Sequence, residues 1–258
     1  MKLLFYGDVC GKPGREALAA TLPRLRERHG AELVVANGEN AAGGVGITAR
    51  TAEALFAAGV DVITTGNHVY RHREVYEYLD RTERIIRPAN YPHGNPGRGH
   101  AVVAAGGMRV AVLNLSGAVM LTVARSPFPA ADELVARLRG EADAIVVDFH
   151  AEVTSEKVAM GWHLDGRVAA VLGTHTHVPT ADARVLPQGT AFISDVGMTG
   201  SRNGVLGARR DQVLRAFITQ MPVRFDSAEG DPWVNAVVVD IGPDGLARGI
   251  EQVIEPAA

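Results

Sequence analysis

Short runs of apolar residues recur along the chain and are separated by segments with a helical repeat. The runs are rich in Val, Ile and Leu and rarely alternate with polar residues, which is typical of strands buried on both faces. In order, they are KLLFYG, ELVVAN, DVITTGN, ERIIRPA, MRVAVLNLS, DAIVVDFH, RVAAVLGTH, AFISDVG and VNAVVVDIG. Strands of this kind are covered by helices, so the pattern predicts an α/β fold.

Helical periodicity lies between several of these runs. In REALAATLPRLRERHG, Leu18, Leu22 and Leu25 recur at helical spacing, and Gly30 is a typical residue for a helix to end at. The segments TARTAEALFAAG and RDQVLRAFITQ are similarly amphipathic. AAGGMRVAV predicts a hairpin, because its consecutive glycines favour positive φ. The alternation predicts layers of helix and sheet, with some antiparallel pairing late in the chain.

The composition is that of an ordinary globular protein. The 258 residues are 47% hydrophobic and 21% charged, and we expect one domain over residues 1–258. The formal net charge of −3 gives no reason to expect a long nucleic-acid partner. No run approaches the roughly 18 apolar residues that span a membrane, and the single cysteine, Cys10, is typical of a reducing compartment. We therefore expect a cytoplasmic protein with a small-molecule ligand, and the sequence leaves a homo-oligomer open.

Polar side chains follow five of the predicted strands at the point where each strand ends. In an open α/β sheet the ligand crevice lies outside the carboxyl ends of the strands, so these side chains are expected to share one rim. Singly, each has an ordinary alternative, such as a helix cap, a turn or a structural hydrogen bond. The residues are Asp8, Glu39, Asn40, Asn67, His68, His150, His175 and His177.

The mixture of imidazole, carboxylate and amide groups indicates a metal site. Nitrogen and oxygen ligands together favour a first-row transition metal such as Mn, Fe or Zn, whereas oxygen ligands alone would suit Mg or Ca. Seven candidate ligands, which are the eight residues without His68, exceed one tetrahedral site, and a carboxylate can bridge two ions. Two metal ions are therefore expected.

The motifs that carry these residues resemble the ordered blocks of the calcineurin-like metallophosphoesterases. The strings GDVCGKPGR, NGENAAGGVGIT, TGNHVY, DFHAE and GTHTHVPTAD resemble the YmdB-type subfamily, over residues 3 to about 207. The resemblance implies a four-layer α/β/β/α sandwich of the metallophosphoesterase type with mixed sheets. It also implies a dinuclear centre of iron or manganese, with zinc as an alternative, and hydrolysis of 2′,3′-cyclic nucleotides such as 2′,3′-cAMP.

Carried over position by position, the resemblance also implies the ligand sets. Asp8 and His177 would hold the first metal, Glu39 would bridge, and the second metal would bind Asn67, His150 and His175. The broader family has a histidine where this chain has Cys10, and an aspartate where it has Glu39. We expect Asn40 to supply the missing ligand through its amide oxygen, with the sulfur of Cys10 as the alternative.

His68 lies beside the expected ligand Asn67 and is not itself assigned to a metal. In the expected reaction a metal-bridging hydroxide attacks the phosphodiester and His68 protonates the leaving ribose oxygen. The alternative for His68 is to orient a ligand. Two other functions stay open, namely a binuclear phosphomonoesterase and a metal-bound regulatory module that binds nucleotides or RNA ends without turnover.

Two glycine-rich stretches, AAGGVGIT and GMTGSRNGVLG, are further candidates for contact with substrate. Their bare backbone N–H groups could approach a phosphate, and Arg202 could add positive charge. Such stretches are more often simple turns. The substrate-binding residues are therefore left unassigned.

Overall fold

A computed structural model describes residues 1–122 and 125–257. A 3₁₀ turn over Arg73–Val75 precedes the third helix. The elements are, in order, β1 (Lys2–Tyr6), β2 (Asp8–Val9), α1 (Gly11–His29), β3 (Leu33–Asn37), α2 (Ala49–Ala57), β4 (Val62–Thr64), α3 (Tyr76–Arg81), β5 (His100–Ala105), β6 (Met108–Ser116), α4 (Pro127–Leu138), β7 (Ala144–His150), α5 (Thr154–Leu164), β8 (Ala170–Thr174), β9 (Arg184–Val185), β10 (Ala191–Ile193), β11 (Met198–Ser201), β12 (Gly204–Val205), β13 (Ala208–Arg209), α6 (Arg210–Thr219), β14 (Pro232–Ile241) and β15 (Ala247–Pro256).

Most of the strands belong to two sheets, and both sheets are mixed. The first has the order β2-β11-β14-β1-β3-β4, with β15 also paired to β14. The second has the order β5-β6-β7-β8-β10-β9, and β12 and β13 form a separate hairpin. In the first sheet the parallel group β1-β3-β4 is bordered on one side by the antiparallel strand β14, and in the second the parallel group β6-β7-β8-β10 lies between the antiparallel strands β5 and β9. The expected α/β class with mixed sheets is confirmed.

The core consists of three buried clusters that alternate with the two sheets. Leu3 and Leu4 are neighbours in β1, yet Leu3 lies in the central cluster and Leu4 in the cluster that includes α1 and α2. In the second sheet, Val112 of β6 lies in the central cluster and Leu113 in the cluster that includes α4 and α5. Successive strand residues face opposite sides, so each sheet has one helix-covered face and one face toward the other sheet. This arrangement agrees with the expected four layers.

Several predicted elements are confirmed, and one is wrong. Helix α1 stops at the predicted place, with Gly30 as its C-cap in the left-handed conformation, and β5 and β6 form the predicted hairpin. The run ERIIRPA is not a strand. Its Ile85 and Ile86 make only isolated bridges, to Ile63 and Arg98, although both isoleucines are fully buried. Burial in the core explains the hydrophobicity of this run without a continuous ladder.

The parallel strands deliver their carboxyl ends to a common edge, where the candidate residues lie. Gly66 follows β4, and a Cβ atom at this position would overlap the carboxylate of Glu39 and the ring of His150. The chain can therefore pass between these two side chains only because residue 66 is glycine. Among residues 1–122 and 125–257 there is no helix with the length and apolar character that a membrane crossing requires.

Candidate metal centre

The structure brings all eight strand-end residues together. Asp8, Glu39 and His150 are completely buried, whereas the ring of His68 is about one third exposed, with 36% of its side-chain surface accessible. The contacts described below link every member of the set to at least one other. The side chains predicted to share one rim therefore lie side by side in the structure.

Side chains of three other residues converge on the Nε2 atom of His150. Its Nε2 atom lies 3.0 Å from Nδ1 of His175, 3.2 Å from Oε2 of Glu39 and 3.0 Å from Oδ1 of Asn67. A single ring nitrogen carries at most one proton, so hydrogen bonds alone cannot satisfy this group. Glu39, His150 and His175 offer ligand atoms within 4.8 Å of one another, so these three side chains could hold a metal ion.

A second group lies on the other side of Glu39. The Nδ2 atom of Asn40 is 3.1 Å from Oε1 of Glu39 and 3.1 Å from Nε2 of His177. Oδ1 of Asp8 is buried and has no hydrogen-bond partner among the described residues, while Nε2 of His177 lies 3.9 Å from it. A buried carboxylate oxygen without a partner is costly in a protein that binds nothing there, so this atom fits a metal ligand.

His68 is held from one side and lines a pocket with Glu39, Asn40 and the two histidines that follow β8. Its Nδ1 atom lies 3.1 Å from Oε1 of Glu39 and 3.0 Å from Oδ1 of Asn40. Both of these neighbours are acceptors, so Nδ1 carries a proton. The pocket has a volume of about 280 Å³ and also includes His175, His177 and other residues, among them Gly44, Glu152, Thr176 and Leu206.

Burial and neighbouring charges separate the acid–base properties of the two adjacent imidazoles. Burial and the neighbouring charge of His150 together lower the pKa of His175 to about 3. Burial also disfavours the charged form of His150, but the negative charge of Glu39 and its hydrogen bond raise the pKa of His150 to about 9. His175 is therefore neutral and offers a lone pair. A metal ion bound here would compete with the proton on His150, so binding would release protons.

The loop that carries His175 and His177 has an unusual backbone. Both residues have positive φ, 105° and 68°, a region that non-glycine residues rarely adopt. Between them, the backbone N–H of Thr176 donates to Oδ2 of Asp195 over 3.0 Å, and the hydroxyl of Thr176 donates to the same oxygen over 2.7 Å. Nζ of Lys157 lies 2.6 Å from this oxygen, and both charged residues are buried. The ion pair thus anchors the histidine loop.

The sequence analysis missed Asp195 and Lys157. Asp195 follows the short strand β10, so it obeys the same strand-end rule that identified the other polar residues. Extending that rule to AFISDVG would have found it. Lys157 lies within α5, and nothing in the helical pattern distinguishes it from an exposed lysine.

A buried chain of hydrogen bonds orients His150. Its Nδ1 atom lies 2.9 Å from the hydroxyl of Thr174, which donates to Oδ1 of Asp148 over 2.7 Å. Asn37 donates from Nδ2 to the other carboxylate oxygen of Asp148 over 2.9 Å. Groups that hold the far nitrogen of a histidine fix its ring orientation, which is a usual feature of metal-binding histidines.

Cys10 lies beside the centre without joining it. The residue is 4% exposed and lines a neighbouring apolar cavity, and it does not line the pocket that contains His68. Burial, together with the charges of Asp8 and Glu39, raises the pKa of the Cys10 thiol to about 12. Metals bind the thiolate form, so these surroundings favour Asn40 over Cys10 as the additional ligand. Arg202 is also outside the pocket, and its guanidinium stacks on the ring of Trp233 at 3.5 Å.

Comparison with known proteins gives a consistent result. The chain matches the family described as YmdB-like protein over residues 4–253. It is 47% identical, over 241 residues, to a Bacillus subtilis (strain 168) protein named 2′,3′-cyclic-nucleotide 2′-phosphodiesterase, with 93% of this chain and 91% of the relative covered. The crystal structure of a novel phosphatase from Mycoplasma pneumoniae is 33% identical and has a TM-score of 0.93, with 99% of this chain and 93% of that one covered.

A more distant structure shares the fold alone. The 5′-nucleotidase precursor from Thermus thermophilus is 13% identical to this chain and has a TM-score of 0.61. The alignment covers 99% of this chain and 54% of that one. The fold is therefore also found as part of a longer protein.

Proposed function

The chain belongs to the YmdB-like protein family, and we propose that it is a metal-dependent phosphodiesterase that hydrolyses 2′,3′-cyclic nucleotides such as 2′,3′-cAMP. The observation that carries this proposal is the convergence of ligand atoms from Glu39, His150 and His175 within 4.8 Å of one another. The name of the Bacillus subtilis relative supports the choice of substrate class.

Two metal ions fit the donor groups on the two sides of Glu39. In this proposal Asp8 and His177 would hold the first ion, Glu39 would be shared by both ions, and Asn67, His150 and His175 would hold the second. Asn40 would add its amide oxygen to the first ion only after its amide rotates, because Nδ2 and not Oδ1 faces His177 in the structure. The partnerless oxygen of Asp8 and the crowded Nε2 atom of His150 support these assignments. The mixture of nitrogen and oxygen donors suits iron or manganese, with zinc as the alternative.

When bound, the metals would supply an activated water at neutral pH and positive charge for the phosphoryl oxygens. The protein would contribute the geometry. Asp195 and Lys157 hold the loop of His175 and His177, and Asp148 orients His150 through Thr174. These groups are buried and hydrogen-bonded, so little rearrangement is needed when substrate arrives.

His68 is the proposed proton donor to the leaving ribose oxygen. An alkoxide is a poor leaving group, and a positioned imidazole can protonate it as the P–O bond breaks. The hydrogen bonds at Nδ1 fix the ring while it lines the pocket.

Metal analysis combined with a substrate panel tests the proposal. We expect about two transition-metal ions per chain in protein purified without chelator, and loss of hydrolysis when the metals are removed. The panel contains 2′,3′- and 3′,5′-cyclic nucleotides and a nucleoside monophosphate. A preference for the monophosphate would indicate a phosphomonoesterase instead. Binding without turnover would indicate a regulatory module, and a stoichiometry near one that added Mn or Fe does not change would exclude the dinuclear site.

A further inference from the structure

An apolar cavity of about 510 Å³ adjoins the metal centre. Its walls come from both glycine-rich stretches that the sequence singled out, from α6 and from the segment that follows α6. Concave, mostly apolar sites of this volume are typical of small-molecule binding. The apolar side chains that form the walls include Val45, Leu206, Val213, Ala216, Phe217 and Phe225.

The cavity shares two lining residues, Gly44 and Leu206, with the pocket of about 280 Å³ at the metal centre, hereafter the metal pocket. Leu206 lies at the turn between β12 and β13 and has a positive φ of 51°. Its carbonyl oxygen accepts a hydrogen bond from Nδ1 of His177 over 3.0 Å. The same turn therefore borders the cavity and orients a proposed metal ligand, so one substrate molecule can occupy both spaces.

The charges around the cavity determine which part of a substrate it suits. Of the described residues that line it, Asp226 is the charged one, and no lysine or arginine is among them. A phosphate would be repelled by this carboxylate and would find no cation. A flat, uncharged aromatic group would instead contact the rings of Phe217 and Phe225.

We infer that this cavity binds the nucleobase of the substrate while the cyclic phosphate lies at the metal centre. The inference rests on the proposed function, because only a nucleotide would place a base beside the phosphate. In a nucleoside 2′,3′-cyclic phosphate a single ribose ring separates the two groups, so the base needs a space that adjoins the metal pocket. The cavity bordered by Gly44 and Leu206 is such a space.

The test fills the cavity and compares two substrates. Ala216 lines the cavity, and Ala216→Trp would occupy the space of the base. The control is Leu214→Trp on the same helix, because Leu214 is 53% exposed and does not line the cavity. The substrates are 2′,3′-cAMP and methyl riboside 2′,3′-cyclic phosphate, which carries the same reacting group without a base.

We expect Ala216→Trp to raise KM for 2′,3′-cAMP by about 10–100-fold, which is the size of a lost base–aromatic contact, and to leave hydrolysis of the base-free diester unchanged. Leu214→Trp should affect neither substrate. Phe217→Ala is a second variant, and because the side chain is 77% exposed its removal should not threaten folding. It should raise KM for 2′,3′-cAMP alone. An unchanged KM, or equal losses on both diesters, would overturn the inference, and equal losses with a changed oligomeric state would identify a subunit interface instead.

A binding measurement separates failure of the cavity from failure of the proposed function. If the unaltered protein hydrolyses neither diester, the proposed function fails. Saturation-transfer NMR with adenosine then still tests the cavity, because adenosine has a base and no phosphate. Binding that Ala216→Trp abolishes would support the inference. Absence of binding, or binding that the variant does not change, would refute it.

Discussion

The metal pocket and the apolar cavity adjoin each other, but they are built from different parts of the fold. The pocket of about 280 Å³ is formed largely by residues at strand ends, such as Glu39 and His175, which the two sheets hold in place. The cavity of about 510 Å³ is formed by a hairpin turn, glycine-rich loops and α6. The sheets thus position the proposed chemistry, whereas loops and a helix, which vary more readily, form the proposed recognition site.

The largest expected effect would come from removing the proposed proton donor. His68→Ala should keep both metals, because Asn67 and the other proposed ligands remain, and should slow hydrolysis of 2′,3′-cAMP by roughly 10²–10⁴-fold. A diester that releases a nitrophenolate needs little protonation, so its hydrolysis should slow much less. The measurement is kcat on both substrates together with metal content.

This variant also tests the comparison between the two cavities. His68 lines the metal pocket and does not line the apolar cavity, so binding of adenosine should not change. If His68 only supports a ligand, metal content should fall and both substrates should slow alike. That result would remove His68 from the list of catalytic residues.

The metal pocket could be predicted from sequence because strand ends have positions that the topology fixes. Glu39 and His150 follow runs of apolar residues, and parallel strands bring their carboxyl ends together. The apolar cavity could not be predicted in this way. Helical periodicity in RDQVLRAFITQ indicates an amphipathic helix, but it does not reveal that Val213 is buried while Phe217, on the same cavity, is 77% exposed.

The failure at ERIIRPA has a related cause. Hydrophobicity reports burial, and both Ile85 and Ile86 are fully buried. Strand formation also needs a ladder of partners, and this segment pairs for only single residues before the chain reaches Pro88. The burial of this run was therefore predictable, while its lack of strand partners and the pairing of Lys157 with Asp195 were not.

A second prediction concerns this ion pair. Lys157→Met leaves the buried carboxylate of Asp195 without its cation, which should lower the free energy of unfolding by roughly 3–5 kcal/mol. Urea denaturation measures the change. Lys12→Met is the matched control, because the side chain of Lys12 is 76% exposed and its pair with Glu16 contributes little.

The same variant should affect the two cavities differently. Asp195 anchors the loop of His175 and His177, so a folded sample of Lys157→Met at low temperature should bind metal more weakly. Adenosine binding in the apolar cavity should be retained. Weaker adenosine binding with normal metal affinity would show that this ion pair supports the apolar cavity and not the loop of His175 and His177. Metal and adenosine affinities that both remain normal would limit the pair to a role in stability.

The smallest effects separate Asn40, which lines the metal pocket, from Cys10, which lines the apolar cavity. Asn40 contacts Glu39 and His177, so Asn40→Ala should weaken binding of one metal ion by about tenfold or more, as measured by metal titration. Cys10 lines the apolar cavity, so Cys10→Ser should keep both metals and most of the activity. Its effect should be confined to a small rise in KM for 2′,3′-cAMP that the base-free diester does not show. The opposite pattern, with metal lost from Cys10→Ser and retained by Asn40→Ala, would show that the sulfur of Cys10, and not the amide of Asn40, binds the metal.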